Sequence, residues 1–454
     1  MRQALTDAAP EAPQLSGEET ADICIVGGGY TGLWTALRIN ELEPSARVIV
    51  LDAVLAGSGA SGRNGGFAMT FWHHFLALER ACGQAEALRL ARASAEAVSS
   101  IGDFCREHGI DSGFRADGWL WTATNRAQIG AWATTVEALE RSGETPFAPL
   151  APAEVAARAG SERHLAGVFE AGAATVQPAV LARGLRRVAL ERGIEIFERS
   201  PMVGLERTPV LGVRTPHGRV RARGVVIAMN AWAASLKELR GRFVAIASDV
   251  VLTEPAPDRL EAAGLRNGIS ISDSRLMVHY YRPTSDGRLA FGKGGGNLAY
   301  GSRVGESFNG PSPRAAAVAA HMYELEPALA GVPLAASWIG PIDRSIDGLP
   351  FFTTLGRPDL IAGLGFSGNG VGPSVLGGRI LASMALERED QWSRCGLVRP
   401  PPRGLPPEPL RYLGGRIVRA AVARRERAED AGRNPTWIDR RLTALAPPGL
   451  VPVD

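Results

Sequence analysis

Lysine is nearly missing from this chain: Lys237 and Lys293 are the only two, so almost all of its positive charge is arginine. Cysteine is scarce as well, and the four present, Cys24, Cys82, Cys105 and Cys395, stand far apart. Without a C-x-x-C pair or metal-ligand spacing, neither a zinc module nor a disulfide framework is supported; no metal site is expected, and a reducing, cytoplasmic setting is. Net charge is small too: 50 basic against 47 acidic residues leave +3, too little for the phosphate neutralisation that drives sequence-independent nucleic-acid binding. No stretch reaches the roughly 18 apolar residues of a membrane span. The first twenty residues lack a basic start followed by an apolar run, so no export signal is expected either.

What remains is a chain of 454 residues, 45% hydrophobic and 21% charged, long enough for two domains or one domain with a large insertion. Residues 22–26 are an apolar run of strand length, 27–32 a glycine-rich turn, and a helical pattern begins at Leu33. A second apolar run, 48–51, ends at Asp52 and completes a β-α-β unit. In Gly27-x-Gly29-x-x-Gly32, spanning Tyr30 and Thr31, the first glycine permits a tight turn, the second admits a diphosphate and the third lets helix and strand pack closely. The helix N-terminus then offers N–H groups and its dipole to the diphosphate, and Asp52, followed by Ala53, would accept ribose hydroxyls. These residues predict a dinucleotide site and leave NAD and FAD open.

Further along, 76–109 reads as helices and 113–123 as a hairpin with alternating large residues. Gln177-Pro178 opens a helix to Arg192, followed by strands at 194–197 and 224–229 whose continuous apolar character suits a parallel sheet covered on both faces. Between about 243 and 300 the pattern turns to alternation, with runs at 276–282 and 289–292 around a turn at 284–287, predicting antiparallel sheet. Residues 360–372 return to apolar-plus-glycine character before a helix to about Arg388. A proline-rich linker, 399–409, leads to a basic amphipathic helix at about 410–430 carrying Arg411, Arg416, Arg419, Arg424, Arg425 and Arg427. Such a tail can lie on a partner, an acidic membrane surface or its own chain.

The small-residue loop Gly57-Ser-Gly-Ala-Ser-Gly-Arg-Asn-Gly-Gly66 resembles that of the D-amino-acid-oxidase-like family of FAD oxidoreductases, and the pattern is most similar to its gamma-glutamylputrescine-oxidase-like and sarcosine-oxidase-like amine oxidases. There, Ser58, Gly59, Ser61, Gly62, Arg63, Asn64, Gly65 and Gly66 correspond to a loop that wraps the diphosphate and approaches the flavin. The likeness continues through Gln177-Pro178, Val203 on the adenine side, Asn230 and Trp232 in Ala228-Met-Asn-Ala-Trp232, the hairpin 281–288, and Gly340 in Trp338-Ile-Gly340. It ends at Gly365-Phe-Ser-Gly-Asn-Gly-Val-Gly372, where Ser367, Gly368, Asn369, Gly370 and Val371 match the loop that sets backbone N–H groups and a helix N-terminus near the flavin pyrimidine.

The resemblance implies an α/β chain: a glutathione-reductase-type Rossmann FAD domain from 20–90, 160–235 and 336–390, interrupted by an α+β substrate domain with a large antiparallel sheet from 91–159 and 236–335, and a tail from 399–454. It further implies oxidative deamination or dealkylation of a small primary or secondary amine by hydride transfer to flavin N5, hydrolysis of the imine to a carbonyl product, and reoxidation by O2 giving hydrogen peroxide. FAD is expected to be noncovalent, because no cysteine stands in the neighbourhood of the flavin. Two other readings stay open: a dehydrogenase passing electrons to a quinone or partner protein through the basic tail, and a flavoprotein whose FAD is structural.

For substrate recognition, glycine-oxidase-like members carry an arginine where this chain has Ile342, followed by Asp343 and Arg344, so a clamp for an α-carboxylate is unsupported at that position. Along the alternating strand, Arg275, Met277, His279 and Tyr281 share one face and Leu276, Val278, Tyr280 and Arg282 the other. If the first face meets the flavin, Arg275 would bind an anion such as a distal carboxylate or phosphonate while His279 and Tyr281 orient the amine. Lys293 is either a solvated loop residue or a buried cation favouring electron transfer to oxygen. His73 and His74 are either packed histidines or candidates for a flavin linkage or a base, His74 being the candidate catalytic residue.

Overall fold

The computed structural model describes residues 12–447 apart from 208, 266 and 403. Residues 1–11, read above for an export signal, and 448–454 of the tail lie outside the described residues. The described residues form a mixed α/β fold built on two eight-stranded sheets.

In the first sheet the strands Gly17–Val26, Val48–Leu51, Glu195–Phe197, Gly218–Ile227 and Leu360–Leu364 run parallel, with Phe351–Thr354 antiparallel on one edge. Their apolar runs are continuous because both faces are covered. Ile23, Ile25, Val48 and Val50 enter one core with Leu33, Leu37 and Ile380 from the helices Tyr30–Leu42 and Pro373–Ala385. The alternate residues Cys24, Val26, Ile49 and Leu51 enter a second core with Val225, Ile227 and Leu364. Period-two geometry thus converts one apolar run into two packing faces. The first helix begins at Tyr30 rather than Leu33, so Gly32 lies inside it. A β-carbon there would stand 1.9 Å from the Gly27 carbonyl oxygen, so Gly32 serves helix-to-strand packing.

The second sheet has the order Leu334–Arg344, Val244–Thr253, Leu289–Lys293, His279–Pro283, Ser270–Asp273, Trp119–Ala123, Ala166–Glu170, Phe147–Leu150, and is antiparallel except between Ser270–Asp273 and Trp119–Ala123. Two of its strands, Ala166–Glu170 and Leu334–Arg344, fall in ranges that the sequence had suggested for the nucleotide domain. The hairpin expected at 113–123 does not form. Only Trp119–Ala123 is a strand, all five residues are buried, and its neighbours come from distant parts of the chain. The run expected from 276 pairs only from His279, leaving 276–278 as a loop.

The expected tail helix spans Leu410–Asp430 and is followed by Trp437–Thr443. It is tied to its own chain: Asp430 accepts hydrogen bonds from the Arg275 guanidinium at 2.8 and 2.6 Å, and Glu426 accepts the Met277 N–H at 2.9 Å. No described helix is long and apolar enough to cross a membrane.

Candidate active site

A cavity of about 1570 Å³ runs along the carboxyl ends of the first parallel strands, where open α/β sheets present ligands with loops and helix N-termini, and on to the second sheet. At its first end, Gly27 turns the chain with φ +114°, and a β-carbon there would stand 2.4 Å from the Ala228 carbonyl oxygen. Gly29, Tyr30 and Thr31 open the helix onto the cavity, with the Ser61 Oγ accepting the Tyr30 N–H at 2.8 Å. Asp52 and Ala53 also line it. The Asp52 carboxylate accepts N–H groups of Gly28 (3.0 Å) and Val54 (2.9 Å), and burial pushes its pKa up to about 6.

The loop after the second strand is pinned from several sides. Asn64 donates to the Ser61 carbonyl at 2.8 Å and accepts the Gly66 N–H at 2.8 Å. Arg63 donates to the Ser58 carbonyl at 2.8 Å, and Arg282 donates to the Gly65 carbonyl at 2.7 Å. Ser58, Gly59, Ser61, Arg63, Asn64 and Gly65 all line the cavity. Gly62 and Gly66 do not; Gly66 is used for a turn, with φ +81° and its missing β-carbon 2.1 Å from the Val176 carbonyl oxygen. Beneath the loop a buried Glu198 accepts the Ala56 N–H (3.0 Å) and pairs with Arg183 and Arg186, each at 2.8 Å. Val203 is 58% exposed and outside the lining, and Pro201 and Met202 take that wall instead.

At the other end, Asn230, Trp232, Gly340 and the run Ser367, Gly368, Asn369, Gly370 and Val371 face the cavity. Asp343, buried in the strand Leu334–Arg344, ties them together: its carboxylate accepts the Gly365 N–H at 2.6 Å and the Asn230 side-chain amide at 3.1 Å. Burial pushes its pKa up to about 7 against those backbone hydrogen bonds. Gly365 itself is outside the lining and contributes this anchored N–H. In the sequence, Asp343 is noted only as a neighbour of Ile342 and Glu198 is not singled out; the available signal for both is an acid inside an otherwise apolar or glycine-rich stretch.

His74 lines the cavity with His73, their rings 4.1 Å apart. Burial depresses both, His74 to about 4 with Arg344 adding to the effect, so both imidazoles are neutral at neutral pH. Arg344, two residues beyond Ile342 on the same strand face, also lines the cavity, and burial lowers its pKa to about 10. The position expected to lack a clamp therefore has a guanidinium beside it.

The remaining catalytic candidates lie on the wrong face. Tyr280 lines the cavity, its hydroxyl 2.9 Å from the Ser248 Oγ and its ring over Gly65 and Gly292; burial raises its pKa to about 12. Tyr281 points the opposite way, where its hydroxyl donates to Glu326 at 2.5 Å and lies 2.8 Å from the His164 Nε2. Arg275 pairs with Asp273 (2.9 Å) and Asp430 (2.6 Å), and His279 with Asp273 (2.7 Å). The Lys293 Nζ, neither solvated nor in the cavity, lies 2.7 Å from the His279 Nε2. Alternation holds only from His279 onward: Tyr280 lines the cavity while His279 and Tyr281 pack toward the helix Ala315–Leu325, but in the loop before the strand Met277, expected on the Arg275 face, lines the cavity together with Leu276 and Val278. Accordingly Tyr281→Phe is expected to cost about 1–3 kcal/mol of stability, the penalty for a buried group stripped of its partner, with substrate half-saturation unchanged. Tyr280→Phe is expected to shift half-saturation with little loss of stability. Thermal unfolding and steady-state kinetics on the pair check this.

The turn, the free N–H groups at a helix start, the carboxylate after the second strand and the cavity size define a protein that holds an extended dinucleotide. The cradle fits a diphosphate: Gly29 lines the cavity at the helix start, and a β-carbon there would stand 2.9 Å from the Ser61 Oγ. The chain belongs to the DAO family of FAD dependent oxidoreductases, whose pattern matches residues 22–384, and FAD is its cofactor. It is similar to the gamma-glutamylputrescine oxidoreductase of Escherichia coli (strain K12), 29% identical over 368 residues covering 80% of this chain and 83% of that protein. A probable oxidoreductase, OrdL, of Haemophilus influenzae is 26% identical over 415 residues, covering 90% of both. In fold, the glycine oxidase of Geobacillus kaustophilus superposes with a TM-score of 0.69 at 21% identity, covering 86% of this chain and 100% of that one.

Proposed function

We propose that the chain oxidises a small amine, taking C–N to C=N, after which water hydrolyses the imine to a carbonyl product and a shorter amine or ammonia; O2 takes up the electrons and leaves as hydrogen peroxide. The names of the relatives, gamma-glutamylputrescine oxidoreductase above all, support the amine. The observation that carries the reading is the pair of buried imidazoles on the cavity wall. His73 and His74 line it with their rings 4.1 Å apart, and burial lowers the pKa of both, so this wall meets the amine with uncharged imidazoles and the amine binds as the free base, the form whose α-carbon can be oxidised.

The bound flavin would supply the two-electron acceptor. The protein's part is placement. Gly27, Gly29 and the start of the helix Tyr30–Leu42 hold the diphosphate, and Asp52 holds the ribose hydroxyls. Gly370 and Val371, at the start of the helix Pro373–Ala385, would offer N–H groups and the positive helix end to the ring, while the Asn369 N–H is spent on the Phe366 carbonyl at 2.8 Å. Tyr280, with Leu276 and Val278 beside it, lines the same cavity and would help keep water from the reacting carbon. No nucleophile or general-base pair is needed for this chemistry.

Asp52 gives this reading a pH dependence. Its carboxylate form accepts the ribose hydroxyls, so FAD affinity is expected to be full above about pH 6 and to weaken as pH falls through that value. By linkage the complex holds Asp52 at a lower pKa than the free protein. Flavin release followed by fluorescence against pH checks this; an Asp52→Asn variant should bind more weakly and lose the dependence.

The function is tested by aerobic incubation with primary and secondary amines, measuring carbonyl product and peroxide together. Equal amounts of both are expected. Carbonyl product without peroxide would move the electrons to another acceptor, and neither product with any amine would remove the proposal.

A further inference from the structure

We propose that the C-terminal helix Leu410–Asp430 completes the substrate cavity and that Arg419 on it forms an anion subsite, so that the substrate is an amine bearing a carboxylate or comparable anion away from its amino group. This rests on the amine-oxidising reading above. The family pattern ends at residue 384, before this helix begins, so the subsite is not part of that pattern. One face of the helix lines the cavity through Gly414, Gly415, Val418, Arg419 and Val422. The two glycines leave space there: nothing lies within 4 Å of the position of a β-carbon at Gly414, and only the Leu298 side chain is near that of Gly415.

Arg419 is half-buried, and its Nε donates to the Gly295 carbonyl at 2.8 Å. Among the described residues no acid lies at ion-pair distance from it, in contrast to Arg411, Arg424 and Arg425 of the same helix, which pair with Glu408, Asp439 and Glu429. The nearby carboxylate that could have served, Asp249, is engaged by Arg314 at 2.8 Å and by Ser312 at 2.6 Å. Burial lowers the pKa of Arg419, Arg314 and Arg416 add to that cost, and Asp249 offsets part of it from beyond ion-pair distance. A partly desolvated guanidinium on a cavity wall with no direct ion-pair partner favours an anion in that cavity. The helix does not have to move to supply it, because Asp430 and Glu426 already fix it to Arg275 and the Met277 backbone.

The test uses the FAD-loaded protein and its Arg419→Gln and Arg419→Lys variants, with ω-amino acids of increasing chain length, the matching amides, and glutarate as a non-oxidisable probe. For the acids, the concentration giving half-maximal anaerobic flavin bleaching is expected to rise about tenfold or more in Arg419→Gln, the loss of one charge-assisted contact. The amides should be unaffected, and Arg419→Lys should recover part of the loss. Glutarate should perturb the oxidised flavin spectrum of the parent protein and not of Arg419→Gln. Equal shifts for acids and amides, or no shift, would overturn the subsite. If no amine bleaches the flavin, the functional reading fails on its own and glutarate decides the subsite: loss of its effect in Arg419→Gln supports it, and an effect in both proteins or in neither overturns it. Flavin content and thermal unfolding confirm that the variants are folded.

Discussion

Gly29→Val is expected to purify as a folded protein without flavin. Gly29 has φ −85° and ψ −174°, backbone that valine adopts freely, so the effect is not one of strain. The new β-carbon would stand 2.9 Å from the Ser61 Oγ, which accepts the Tyr30 N–H and so fixes the loop onto the helix start. The rest of the side chain would occupy the cradle where backbone N–H groups meet the diphosphate. Flavin content per protein should fall by about tenfold or more, since blocking the helix N-terminus removes its charge-assisted contacts. Gly305→Ala, at a position with nothing within 4 Å of the β-carbon, is the control and should keep its flavin. Absorbance of the purified proteins measures this, and a fully loaded Gly29→Val would mean that the cofactor lies elsewhere.

Glu198→Gln is expected to destabilise the protein by about 3–5 kcal/mol, the usual result of removing one member of a buried ion cluster. Glu198 is 1% exposed and carries Arg183, Arg186 and the Ala56 N–H on one carboxylate. The isosteric amide preserves shape and removes the carboxylate charge that faces Arg183 and Arg186. Because Ala56 leads directly into the loop 57–66, flavin should be released at a lower temperature than in the parent protein. Paired measurements by circular dichroism and flavin fluorescence check this; an unfolding temperature and release temperature equal to those of the parent would contradict it.

The first prediction falls on a part of the site that was readable in the sequence, the second on a part that was not. The turn Gly27–Gly32 was legible from its glycine spacing at a strand-to-helix junction and the loop 57–66 from its resemblance to the family's loop, although the collisions that demand glycine at Gly27 and Gly66, with the Ala228 and Val176 carbonyls, come from distant parts of the chain. The parallel strands were legible from their continuous apolar runs, and the tail helix from its charge pattern. The choice between Tyr280 and Tyr281 was not legible. Alternation separates two faces of a strand without saying which one packs on the helix Ala315–Leu325 and which meets the cavity, and that is set by sheet order. The roles of Glu198 and Asp343 were missed because each joins a neighbouring element to one far away in sequence, Arg183 to Ala56 for Glu198 and Gly365 to Asn230 for Asp343. The contribution of the tail was missed for a related reason: its amphipathic pattern predicted a packed face, and only the fold shows that this face includes the cavity wall.

Mixing the purified flavoprotein anaerobically with a panel of primary amines, secondary amines and amino acids, while following the visible flavin band, tests the central claim most directly. Bleaching by one class of amine, with the colour restored and peroxide formed when air is admitted, is the predicted result. A bound flavin that no amine in the panel reduces would contradict amine oxidation and leave the fold and the FAD site as the account's surviving parts.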